Sequence, residues 1–134
     1  MAIPPSSSNT AGLSLSAATD AMDPNPDITV ASRGETWPSG RSKPVAQLNI
    51  NDAWLAAIAN APLASGIEPG LGPWTGIGLR LPSGARIELL RYQFGGVHFE
   101  LHADFGANAR KVLEEFLTTT GLTIDAIRWR QTEI

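Results

Sequence analysis

Between Gly76 and His102 the chain alternates apolar with polar or small residues three times over, and this period of two fixes the kind of fold available to it. Ile77, Leu79 and Leu81 alternate with Gly76, Gly78 and Arg80. Pro82-Ser83-Gly84 reads as a hairpin turn, with proline presetting φ and Gly84 taking a left-handed conformation. In the next run, 85–94, Ile87 and Leu89 share one face, whereas Tyr92 and Phe94 have the opposite parity. A bulge at Leu89–Leu90 would bring Ile87, Tyr92 and Phe94 to the same side. Gly95-Gly96 then reads as a two-residue turn, after which Val97, Phe99 and Leu101 alternate with His98, Glu100 and His102. The pattern predicts a three-stranded antiparallel meander.

Helical periodicity flanks it. Asn49 or Asn51 can cap a short helix over 52–60, with Asp52 in its first turn and Trp54, Leu55 and Ile58 on one stripe. Pro62 ends it, and the Pro/Gly-rich stretch 62–74 reads as a loop carrying Trp74, as a core plug or as an exposed binding anchor. A second helix is expected over 107–120, capped by Asp104 or Asn108, with Val112, Leu113, Phe116 and Leu117 as its apolar stripe. Gly121 and Leu122 fit a Schellman ending. A last strand over 123–130 puts Ile127 and Trp129 on one face, with Trp129 in the core. A right-handed crossover would lay this strand parallel to the first. The order α-β-β-β-α-β predicts an α+β, two-layer domain over 47–134 with a mostly antiparallel four-stranded sheet.

Residues 1–46 differ in composition. They hold eight Ser, six Pro and three Gly with few large apolar side chains, too little apolar surface to offset about 1–2 kcal/mol of backbone entropy per residue. The expectation is a disordered N-terminal tail, in which 28–30 could add an edge strand and Trp37 could pin the chain locally. The formal charge of −3 gives no electrostatic footprint for nucleic acid. No apolar run approaches the length of a membrane span, so no direct membrane insertion is expected. The absence of cysteine excludes thiol catalysis, disulfides and cysteine-ligated metals.

Chemistry-bearing clusters are few. His98, Glu100 and His102 share a strand face, but about 13 Å separates the two histidine Cα atoms along an extended chain, too far for both rings to reach one ion. A solvated polar face is the expected reading. Glu88 and Glu100 could meet across the second hairpin as paired carboxylates, yet Arg80, Arg86, Arg91, Arg128 and Arg130 offer cross-strand partners that explain them without chemistry. No serine has a histidine partner in a fitting setting, and the glycines at 70, 72, 76 and 78 lack the lysine of a phosphate loop. No enzyme, catalytic residue, resident metal or cofactor is expected. A binding protein is.

Two stretches carry a family resemblance. Ile3, Pro4, Ser6, Ser7 and Ser8, with five serines in the first sixteen residues and no acidic residue before Asp20, look like the export signal of type III secretion substrates. Over 51–130, the strand-turn-strand 78–89, the run 96–104, the helix carrying Arg110, Leu113 and Leu117, and the closing 121–127 together resemble the C-terminal domain of the flagellar hook-length control and type III secretion substrate-specificity switch family. The turn is one residue shorter than that family's and lacks its leucine, so its contact carries over to Pro82 and Gly84 alone. The resemblance implies a control protein of the bacterial cytoplasm, itself exported through a type III apparatus. Its folded domain would dock on the cytoplasmic domain of an export-gate subunit to switch substrate specificity. Pro82 and Gly84, supported by Arg80 and Arg86, would form the partner-binding surface. The alternatives are a secreted effector acting by binding, or a small acidic cytosolic chaperone or toxin-neutralising protein.

Overall fold

Strand parity places the core. In β4 (Gly72–Arg80), β5 (Arg86–Tyr92) and β6 (Phe99–Asp104), Leu79 lies opposite Ile87 and Ile87 opposite Ala103, while Ile77, Leu89 and Leu101 form the next row. These side chains share one face and are buried. The structure, a computed structural model of the chain, describes residues 25–32 and 35–130. Among them are two helices and seven strands, all paired antiparallel.

The meander is flanked by an edge strand at the place where 28–30 offered one, and by two strands that the residue pattern conceals. β1 (Thr29–Ala31) and β3 (Ala64–Glu68) both pair with the same edge of β4, and β2 (Ser42–Leu48) pairs with β6. The boundary expected at residue 46 is therefore corrected, since β1 and most of β2 lie before it and take part in the fold. Ile28, Ala31, Val45, Ala46 and Leu48 are buried. The register of β2 shifts between Pro44 and Ala46, and this irregularity, with a proline that cannot donate to the ladder, erases the alternation that would have marked a strand. β3 corrects the expected 62–74 loop. Its Ala-Ser-Gly start has little strand propensity, but Gly66 lies under the Trp74 ring, so closely that an added Cβ would come within 2.8 Å of it.

Three other expectations change. β5 runs in continuous register from Arg86 to Tyr92 without a bulge, so Tyr92 stays on the face opposite the core, where its hydroxyl donates to Glu68 at 2.9 Å. The connection to β6 is longer than Gly95-Gly96: a 3-10 turn over Gln93–Gly95 precedes residues 96–98, and Phe94 and Val97 are exposed. β7 (Ile127–Arg130) lies antiparallel to β2 instead of parallel within the meander. Strand β2 occupies the open side of β6, so the chain returning from the second helix meets β2. Trp129, expected in the core, is 45% exposed.

Both helices follow their local signals. In α1 (Asp52–Ala59), the Asn51 side chain accepts from the Trp54 amide at 2.7 Å, and left-handed Asn60 closes the end. In α2 (Ala109–Thr120), Asn108 accepts from the Lys111 amide at 3.0 Å. Gly121, at φ 78°, donates to the Leu117 carbonyl, while the Leu122 amide turns to the Thr120 hydroxyl. This is the simpler αL ending and not the Schellman form. Leu55 and Ile58 of α1 and Val112, Leu113 and Phe116 of α2 join the strand residues in one core cluster. Trp54 meets Phe116 edge to face at 6.5 Å between centroids.

Gly78 is where β1 approaches β4 most tightly: a Cβ there would sit 2.6 Å from the Ala31 carbonyl oxygen. Gly78→Ala is expected to lower stability by about 1–3 kcal/mol in urea unfolding. Amide exchange at 29–31 is expected to accelerate before exchange in β5 or β6.

Candidate functional site

The face of the sheet away from the core is crossed by its own chain. β1 lies at one side of the sheet and β2 beyond β6, and of the chain between them Ser32 and the residues from Glu35 onward are held by a side chain from each of β4, β5 and β6. From β4, Arg80 donates to the Glu35 carboxylate at 2.9 and 3.1 Å. From β5, Arg86 donates to the carbonyls of Ser32 and Glu35, and its guanidinium lies 4.1 Å from the centre of the Trp37 ring. From β6, Asp104 accepts from the Ser39 amide at 2.9 Å and the Ser39 hydroxyl at 3.0 Å. These amide bonds from Ser39, together with that from Gly106 and the nearby charge of Lys43, hold the Asp104 carboxyl below its usual range.

Beneath this strap Arg86 and Glu88 form an ion pair at 2.9 Å, with only 7% and 4% of each residue exposed. They are two positions apart on one strand and so point the same way. Burial of a charge is tolerable only with pairing and further hydrogen bonds; Glu88 supplies the pairing, the Ser32 and Glu35 carbonyls supply the hydrogen bonds, and the Trp37 ring covers the guanidinium. Arg86 was expected on an open docking surface; instead it is an internal anchor.

Beside the strap lies a cleft of about 310 Å3, walled by Glu35 and Pro38 of the strap, Arg80 and Gly84 of the β4–β5 hairpin, and Asp104 and Val112 from β6 and α2. The hairpin forms as its residues predict: Gly84 has φ 93°, its amide donates to Leu81, and the Leu81 amide donates to Ala85. The turn is also tied to α2, because the Ser83 amide and hydroxyl donate to Glu115 at 2.7 and 2.6 Å. Of the four residues expected at a partner surface, Arg80, Gly84 and Arg86 line the cleft and Pro82 is exposed on the turn above it. Ile3, Pro4, Ser6, Ser7 and Ser8 lie outside the described residues. Glu35, Ser39 and Glu115 were missed by sequence reasoning, since nothing local marks a charged residue for a partner 32 to 65 positions away.

The other clusters separate. His98 precedes β6, while His102 lies 3.1 Å from Glu100, which also accepts from Gln47 at 3.5 Å. Glu88 is opposite His102 and not Glu100. Among the described residues no group of three or more His, Asp or Glu side chains could hold a metal ion, and no helix is long and apolar enough to cross a membrane. Compared with known protein families, curated proteins and solved structures, the chain has no match in any of the three.

On the core side, Asp52 at the start of α1 pairs with Arg91, whose guanidinium lies 4.7 Å from the centre of the Phe99 ring. The hydrogen bond from Arg91 lowers the Asp52 pKa, and the same bond raises that of Arg91. A carboxylate depressed by folding stabilises above its unfolded pKa and ceases to do so as pH falls through its folded value. Stability is thus expected to decline below about pH 4, and Asp52→Asn to flatten that acid limb in unfolding curves. Glu88→Ala, which strands the buried Arg86 charge, is expected to cost about 3–5 kcal/mol in urea unfolding.

Proposed function

We propose that this chain is a binding protein of a type III secretion apparatus, itself exported, that docks on the cytoplasmic domain of an export-gate subunit and switches substrate specificity. The sequence resemblance over 51–130 is what this reading takes its family from. The observation that carries the docking surface is the β4–β5 turn, which is exposed yet held in place by its own hairpin bonds and by Glu115. A loop ordered in advance loses little conformational entropy on binding. Pro82 caps that surface, and the Arg80–Glu35 pair, with the Arg80 side chain 40% exposed, borders the mouth of the cleft. In this reading the helices form one layer and the sheet the other, leaving the strapped face and its turn for the partner.

The reading of a toxin-neutralising or chaperone protein shares the same surface and differs in the leader, which it does not need. That β1 and β2, both before residue 49, belong to the sheet favours it to that extent.

The deciding experiment is an amide NMR titration of the full chain with the cytoplasmic domain of a cognate export-gate subunit. Shifts are expected over 79–87 and at Glu115, and Arg80→Glu combined with Pro82→Ala is expected to weaken binding about tenfold or more. No shifts at several hundred micromolar partner would reject the switch reading.

A further inference from the structure

β7 ends the sheet. On the side away from β2 it pairs with no strand among the described residues, so its outward N–H and C=O groups are a template for one more strand. Its side chains define what that strand must carry. Arg128, Trp129 and Arg130 are all exposed, and among the described residues neither arginine has an ion-pair partner. Ile127 lies opposite Leu48 and Trp129 opposite Gln47, with a register shift between them that makes Arg128 the extra residue of a bulge. Trp129 thereby joins the row of Gln47 and Glu100 on the strapped face, while Arg130, opposite Ala46, belongs to the core-side row.

We propose that β7 is a docking edge for an extended acidic segment of another protein, one that adds as a strand with an apolar side chain against Trp129 and flanking carboxylates on Arg128 and Arg130. Charge on an edge strand is a known protection against aggregation and would explain the arginines alone. It does not explain a tryptophan between them, since an exposed indole adds the apolar area that such protection removes. A second copy is the wrong occupant. Antiparallel pairing of two β7 strands about Trp129 would set Arg128 of each against Arg130 of the other, like charges directly opposite. This surface is distinct from the β4–β5 turn, and neither proposal depends on the other.

The test uses the isotopically labelled full chain and a blocked peptide built around Glu-Val-Glu, with a Lys-Val-Lys peptide as counter-probe. The acidic peptide is expected to shift the amides of 127–130 and 46–48 and to slow exchange in β7. Binding is expected to weaken several-fold between low and physiological salt. Trp129→Ala should weaken it about tenfold, and Arg128→Glu with Arg130→Glu should reverse the preference between the two peptides. The rest of the spectrum reports whether each variant is folded. The proposal is overturned if the acidic peptide causes no shifts at millimolar concentration, or if both peptides bind alike. It is equally overturned if the β7 amides of the free monomer are already as protected as those of β5, or if sedimentation shows a dimer abolished by Trp129→Ala.

Discussion

The Arg86 guanidinium sits beneath the surface of the sheet and has to be satisfied there, and much of the second face is arranged around that requirement. Glu88 neutralises it from the same strand, Trp37 covers it, and the carbonyls of Ser32 and Glu35 accept from it. Without the strap these groups would be open to water on a bare sheet; without Arg86 the strap would lose the donor that binds its backbone. Replacing such a pair by apolar residues can be neutral for stability. Its value here lies in specification: a charged anchor admits one path for the strap, where an apolar patch would accept several.

The same anchor fixes the cleft. Glu35 is positioned by its carbonyl on Arg86 and by its carboxylate on Arg80, and Ser39 by Asp104. The three walls of the cleft come from parts of the chain far apart in sequence, and the turn between β4 and β5 is steadied from the third side by α2. A candidate surface of this kind is built entirely by long-range contacts, even though its individual residues are ordinary.

That division explains how much was legible in the sequence. Ile77 and Leu79, Ile87 and Leu89, and Phe99 and Leu101 alternate as half-buried strands must, and all are buried. Asn51, Asn108, Gly84 and Gly121 announce their caps and turn because each acts within a few residues of itself. The parity of Tyr92 is simply that of the face opposite the core, where Glu68 accepts from its hydroxyl, and no bulge is needed to place it. Trp129 misled because aromatic residues on strands are usually core and this one is at an edge. The stretch 28–30 was legible as a possible edge strand, but β2 and β3 were hidden, since a proline with a bulge in one and a run of small residues in the other remove the periodic signal. Their partners, not their propensities, make them strands. Of the residues expected at a partner surface, Arg80 and Gly84 border the cleft and Pro82 lies on the turn, whereas the strap beside them, apart from Trp37, carries no local signal of its long-range contacts.

The position of β2 bears on how the molecule comes apart under load. It lies between β6 and β7, yet it precedes both by more than fifty residues in the chain. A machine that draws the protein in from its N-terminus would first strip the three-residue β1 from an edge, then peel the strap off the sheet one anchor at a time. The next strand in line is β2, and extracting it removes the only strand with which β7 pairs among the described residues. Resistance would therefore rise to a barrier and then collapse, leaving the local β4–β5–β6 meander as the last structured piece.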